Sequence, residues 1–411
     1  MSGPSPPGPL AGLKVIELCH VMAGPTCGLM LADMGADVIK LEKIPGGDDT
    51  RRMVPPMVGD QTAAFLMMNR NKRGIAVDLK SEDGKRVLWR LLETADVVTE
   101  NYRRGFMERR GFGYEALRAH NKRLIYCAIS GFGRTGPYAD RGGFDLVAQG
   151  LSGLMSITGE GPGRPPVKVG APVADITAGI LACMGVLAAL QHRNRTGEGQ
   201  MVDTSLFEAA IVHTYWQSAI ALATGVAPGP MGSAHPLNAP YQAFATTDGW
   251  ITVGAANQTN WQRLLDVLDA PQLREDKRFA TGAGRMQHLR ELEAALNVEF
   301  RKRSSAEWLA LLERAGIPAG PVLNVLQMHA NEQTRARAMI VKTEHATLGS
   351  VETIGPPVKF SATPGGIKRG APLYGEHTRD VLREHGFADA EIDAMAKTGA
   401  IELGGVKVAA E

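Results

Sequence analysis

Short apolar runs alternate with longer stretches of helical periodicity through the first half of the chain. Residues 13–18 form the first run. Ala23-Gly24-Pro25 follows, with proline placed for the first turn of a helix that Gly35 can close. The run at 37–42 completes a βαβ unit, the signature of a parallel sheet. The same reading gives strands at 74–79, 96–99 and 124–130, a helix capped by Ser81 that reaches Glu93, and a helix near 114–120. Such alternation predicts a doubly wound α/β domain. After a Gly/Pro-rich bend at 159–166, an apolar helix follows Asp175, then a polar turn at 193–199, a strand at 200–204 and one long helix at 207–224. Glycine and proline crowd 225–240, which predicts a linker. Beyond it, 241–253 reads as a hairpin turning at Asp248-Gly249, with amphipathic helices at 261–268 and 305–315, and 315–321 punctuates again. The tail returns to short strands and a helix near 378–385. The predicted organisation is a large Rossmann-like α/β domain built from 1–224 and 322–411. A smaller α+β domain at 241–321 is inserted after the linker at 225–240, at roughly 90 residues a usual domain size.

Composition narrows the partners. The chain has 411 residues, with 45 Lys+Arg against 43 Asp+Glu, a formal charge of +2. That balance gives no support to nucleic-acid binding, which draws on an excess of cations. The four cysteines, Cys19, Cys27, Cys127 and Cys183, are too few and too far apart for a disulfide framework or a zinc site, and no metal is expected. The first residues carry neither the apolar core of a secretory signal nor the arginines of a transit peptide. The longest uncharged apolar stretch, 176–190, is shorter than the ~20 residues of a membrane helix. A cytoplasmic protein without a membrane partner is expected. Glycine, at 48 residues, is the outlier, and it falls between apolar runs as turns would.

One motif misleads. GFGRTG at 131–136 is G-x-G-x-x-G and follows a predicted strand. A dinucleotide site needs a helix to begin there, so that its N-terminus can meet the pyrophosphate. Pro137 and then Gly142-Gly143 forbid one. The segment reads as a glycine-rich loop at the C-terminal edge of a sheet, where ligands of open α/β folds bind.

Several ordered blocks resemble one family: HVMAGP at 20–25, GADVIKLE at 35–42, GDDTR at 47–51, NRNKR at 69–73, ENY at 100–102, GFGRTGP at 131–137, RGGFD at 141–145, the Asp175 segment and RTGEGQ at 195–200. Over nearly the whole chain this is similar to the class III CoA-transferases, of the formyl-CoA and carnitine CoA-transferase type. On its own, Asp175 ahead of an apolar helix reads as an N-cap. The resemblance makes it the nucleophile: its carboxylate would attack a thioester carbonyl, giving an aspartyl anhydride and then an aspartyl-CoA thioester. A helix N-terminus would favour the ionised form that attacks. By the same resemblance, CoA or acyl-CoA is bound as a substrate rather than as a permanent cofactor. Its contacts would come from His20, Met22, Ala23, Lys43, Val77, Asp78, Leu79, Lys80, Asn101, Tyr102, Arg103 and Arg109, with Arg141 beside the glycine-rich loop. Cationic members suit the phosphates and Met22 and Tyr102 suit adenine or pantetheine.

The α-methylacyl-CoA racemases share the fold, so fold alone does not fix the reaction. Their Gly-His-Asp motif falls here on Gly143-Phe144-Asp145, and phenylalanine moves no proton. Transfer is therefore favoured over racemisation, and over a non-catalytic acyl-CoA binder. Blocks at 47–51, 232–236, 239–244 and 250–257 resemble the succinate–hydroxymethylglutarate CoA-transferase branch. That branch implies succinyl-CoA or another dicarboxyl-CoA as donor and a small carboxylic acid, a dicarboxylate, as acceptor. The run of consecutive glycines that oxalate-using members carry does not occur. The resemblance also implies an interlocked homodimer.

Overall fold

The computed structural model describes residues 7–404, which pack as two compact units. Within them, the first comprises 7–152, 169–213 and 332–404, and the second Gly153–Lys168 and Thr214–Asn331. The units thus divide at 213/214 and 331/332, and the segment 153–168 joins the second. The insert expected at 241–321 was narrower.

The first unit is built on six parallel strands: β1 (Lys14–Leu18), β2 (Asp37–Glu42), β3 (Arg73–Val77), β4 (Val97–Glu100), β5 (Ile125–Ser130) and β6 (Met201–Ser205). Their spatial order is β3-β2-β1-β4-β5-β6, and a short antiparallel strand, Ile401–Glu402, extends the β3 edge. Ile16 of β1 lies level with Ile39 of β2 and Val98 of β4. Strands buried on both faces need apolar side chains on both, and this sheet has them. Val15, Val38, Val97 and Ile125 enter one core with helices α1 (Ala23–Asp33), α5 (Val173–Thr196) and α6 (Leu206–Val212). Ile16, Ile39, Ile75 and Val98 enter the other with α2 (Glu82–Leu92), α3 (Tyr114–His120) and the C-terminal helices Thr378–Glu384 and Asp389–Lys397. Helix α4 (Asp145–Leu151) precedes α5. The strand order reverses between β1 and β4. The loops leaving their C-terminal ends therefore diverge and open a crevice, where ligands of such sheets bind.

Helix α5 is long and apolar enough, by length and composition, to cross a membrane. In the fold it packs on α1, β5 and β6 through Ala174, Ala178, Ala182 and Ala189. Those small side chains let the helices come close. At Gly179 a Cβ would stand 2.5 Å from the Ala23 carbonyl oxygen.

Three local expectations are corrected. The polar stretch from Arg193 is not a turn: α5 runs on to Thr196, and Gly197 ends it at φ +82°, donating to Arg193 O at 2.8 Å. The helix expected at 207–224 is two, α6 and Tyr215–Thr224, and the packing units divide between them. In the second unit Ala319–Pro321 is not mere punctuation. It pairs with Trp250–Gly254, which in turn pairs with Tyr241–Ala245 across the turn at Asp248. Phe244, Trp261, Phe300 and Trp308 fill the core under that antiparallel sheet, an α+β arrangement.

Candidate active site

Two adjoining cavities open at the crevice, of about 440 and 310 Å³, the range of small-molecule sites. The larger is bounded by the loops after β1, β4 and β5 and by the first turn of α5. His20 follows β1 and Asn101 follows β4, and each fixes the other: His20 N donates to Asn101 Oδ1 at 3.0 Å, and Asn101 Nδ2 donates to His20 O at 2.8 Å. Met22, Ala23, Arg103, Arg109 and Arg141 line this cavity with Asp175. The smaller cavity takes Lys43 from the end of β2 and Val77, Asp78, Leu79 and Lys80 from the end of β3. His20 and Tyr102 line both, and the Tyr102 ring stacks on Phe106 with centroids 4.0 Å apart. All fourteen residues singled out from the sequence thus line one cavity or the other.

Their charges are not all free. Lys43 Nζ meets Asp49 Oδ1 at 2.6 Å, and Asp49 Oδ2 lies 3.2 Å from His20 Nδ1. Partial burial works against the Asp49 carboxylate. The bond from Lys43 and the charges of Lys43, His20 and Arg52 outweigh it and hold its pKa below the usual range. Arg104 pairs loosely with Asp140 at 3.7 Å. Arg134, from the glycine-rich loop, pairs instead with Glu100 and Glu108, so it braces the loop. No helix starts at that loop. Gly131 packs backbone to backbone on Gly143, where a Cβ would fall 2.7 Å from the Gly143 Cα. Glycine here serves close approach rather than a pyrophosphate.

Asp175 is the third residue of α5, and Pro172 holds the N-cap position. The expectation that Asp175 caps the helix is therefore wrong. The cap is Asp145, whose Oδ1 accepts from Ala174 N at 2.8 Å and more weakly from Asp175 N at 3.4 Å. Its Oδ2 accepts from the buried Gln149 Nε2 at 2.6 Å. In the sequence Asp145 ends the RGGFD block and stands beside the position of the missing histidine, with no cap role to mark it. Its spacing of four from Gln149 on one helix was the one available signal. The carboxyl of Asp175 is consequently free of cap bonds. Burial, and then the charge of Asp145, push its pKa up to about 6. The expected gain from the helix end is thus overridden: desolvation favours the neutral acid.

Other residues at the site gave no sequence signal. Phe106 and Arg110 line the smaller cavity, and Arg110 stacks over Phe106 at 3.7 Å. Cys19 reaches the same cavity from the end of β1, buried, its thiol 3.6 Å from Thr99 Oγ1. Burial, with Glu17 nearby, pushes that thiol well above its ordinary pKa.

With this geometry fixed, known proteins give a consistent comparison. Residues 10–378 match the family described as CoA-transferase family III. A succinate–glutarate CoA-transferase of Agrobacterium fabrum is 41% identical over 382 residues, spanning 92% of this chain and 95% of that protein. An acetyl-CoA:oxalate CoA-transferase of Acetobacter aceti is 38% identical over 94% and 98% of the two chains. The crystal structure of a CAIB/BAIF family protein from Brucella suis superposes with a TM-score of 0.82 at 39% identity, covering 92% of this chain and all of that one.

Proposed function

Since the chain belongs to CoA-transferase family III, we propose that it moves CoA from succinyl-CoA, or another dicarboxyl-CoA, to a free dicarboxylate. The observation that carries the mechanism is Asp175, uncapped and part-buried in the cavity at the crevice. Its carboxylate attacks the thioester carbonyl. The C–S bond breaks, CoA leaves as thiolate, and an acyl–aspartyl anhydride remains. The thiolate then attacks the aspartyl carbonyl, which releases the donor acid and leaves an aspartyl-CoA thioester. The acceptor carboxylate attacks that thioester, its C–S bond breaks, CoA leaves again as thiolate, and a second anhydride forms. Attack by the thiolate on the acceptor's carbonyl completes the new acyl-CoA and frees Asp175. A pKa near 6 suits this role, because the group is ionised at neutral pH yet more basic than an exposed aspartate.

Arg103, Arg109 and Arg141 would meet the CoA phosphates, and the apolar wall of the smaller cavity would take adenine or pantetheine. The named acids of both relatives, succinate–glutarate and oxalate, support a dicarboxylate acceptor. Phe144, 78% exposed and lining the larger cavity, stands where racemisation would need a proton carrier. Incubation with succinyl-CoA followed by peptide mass spectrometry is expected to find a CoA-sized adduct on the peptide carrying Asp175. Asp175→Ala is expected to lose both adduct and transfer, and near-normal turnover in that variant would remove the nucleophile.

The chain also acts as an interlocked homodimer in this proposal. Exposed apolar side chains on α4 and α5 (Leu146, Val147, Leu151, Ile180 and Met184) support it, since monomers rarely leave such surface uncovered. Sedimentation equilibrium at twice 43.9 kDa is expected, and a species of 43.9 kDa alone would refute the dimer.

A further inference from the structure

The GDDTR block at 47–51 has no chemistry in the scheme above, yet it holds the loop after β1 in a conformation that Val21 opposes. Val21 sits at φ +67°. A β-branched residue seldom adopts this left-handed region, because Cβ crowds the following carbonyl. The Val21 N–H is held by Asp48 Oδ1 at 3.0 Å. The same oxygen accepts from Thr50 N at 2.9 Å and Thr50 Oγ1 at 2.8 Å.

Asp48 is itself locked from three sides. It is 2% exposed, its Oδ2 lies 2.8 Å from Lys40 Nζ, and its own N–H donates to Glu42 Oε2 at 2.9 Å. Arg51 clamps Glu42 with two bonds of 2.7 Å. Lys40 is fully buried and also donates to Glu17 Oε1 at 3.0 Å and Cys19 O at 2.7 Å. Glu17 in turn faces the buried Lys72 at 2.9 Å. Two ammonium groups thus meet two carboxylates, with the Glu42–Arg51 pair beside them, and the network is neutral. Buried ion pairs of this kind are weak evidence for stability and better evidence for a fixed geometry. The geometry fixed here is at the site, since His20, Met22 and Ala23, on either side of Val21, line the cavity of Asp175.

We infer that Asp48, held by Lys40, is a positioning residue for CoA transfer: it keeps Val21 left-handed and so lays the 20–23 backbone along the nucleophile's cavity. This rests on the reading of that cavity as the transfer site. The test compares wild type, Val21→Gly, Asp48→Ala and the double variant, by exchange of labelled succinate into succinyl-CoA and by thermal unfolding. Without its tether Val21 relaxes to negative φ. Asp48→Ala is then expected to lose about 5- to 30-fold in exchange kcat, the population penalty of the left-handed region. Glycine visits both signs of φ about equally, so the double variant is expected to recover to within about 3-fold of wild type. In unfolding, Val21→Gly is expected to raise the midpoint of the wild type but not of Asp48→Ala, where no strain is left to relieve.

A double variant no faster than Asp48→Ala, or an equal midpoint shift from glycine in both backgrounds, overturns the inference. If Asp48→Ala does not fold, Asp48→Asn replaces it, with the same order of effects and smaller losses. Absence of exchange in the wild type would refute the donor assignment instead, and the unfolding comparison would still decide the role of Asp48.

Discussion

Asp175 and Asp145 show how two carboxylates on adjacent helices divide the work. Asp145 spends its oxygens on backbone and amide donors, so Asp175 needs none of them for the helix and keeps its own for the attack proposed above. The arrangement has a pH signature. Turnover is expected to fall as pH drops through about 6, where the Asp175 carboxylate, the proposed nucleophile, becomes protonated. Asp145→Asn keeps an acceptor oxygen for the cap but removes the charge. It is expected to move that limb to lower pH by less than the full shift, since burial is the larger cause. A limb unmoved in Asp145→Asn would leave burial as the whole cause.

The same shift costs stability. Asp175 holds its proton more tightly folded than unfolded, so stability falls as pH rises from about 4 to about 6, and the loss is complete above that. Asp175→Asn is therefore expected to be more stable than wild type at pH 7, by on the order of 1–3 kcal/mol, and equally stable below pH 4. Urea unfolding at the two pH values reads the difference.

Among elements, α5 carries the most consequence. Its crossing with α1 depends on Gly179, and Gly179→Ala would drive a Cβ into the Ala23 carbonyl. The expected cost is about 1–3 kcal/mol in unfolding, despite alanine's better helix propensity, together with a drop in kcat as α1 and the Asp175 turn separate. Much of this architecture was legible in the sequence. The strand at 37–42 and the helix at 114–120 have the bounds read from it, because apolar runs flanked by glycine, aspartate and asparagine leave few alternatives.

The end of α5 departs from the sequence expectation for a physical reason. Polar side chains at 193–196 do not stop a helix whose last turn reaches the surface, and Arg193 even turns back to Asp96 at 2.9 Å. What stops it is the left-handed Gly197. At the site, the residues that line the two cavities and were assigned a role by resemblance stood out. Those that act through the backbone did not, since Asp48, Asp145 and Val21 become meaningful only once distant loops are brought together.

At the scale of the whole molecule, a formal charge of +2 conceals a concentration of cations. Arg103, Arg104, Arg109 and Arg141 share the cavity that holds Asp175. If they meet phosphates, Arg103→Ala and Arg141→Ala should each raise the donor KM by about 10-fold or more while changing kcat little, and should flatten its dependence on salt. An unchanged KM in both would place these arginines in solvent rather than on CoA.

Cys19 finally gives the site a property that its catalytic groups do not. An enzyme that handles thioesters all its life is exposed to self-acylation, because any thiolate within reach can capture the acyl group by exchange. This chain places a sulfur at the wall of one of its two cavities, but keeps it protonated through burial and the negative charge of Glu17. The other three cysteines are buried as well. In the proposed mechanism the Asp175 carboxylate, whose adduct is easily reversed, is then the nucleophile left to capture the acyl group. Selectivity between sulfur and oxygen in that mechanism comes from withholding ionisation rather than from excluding the residue.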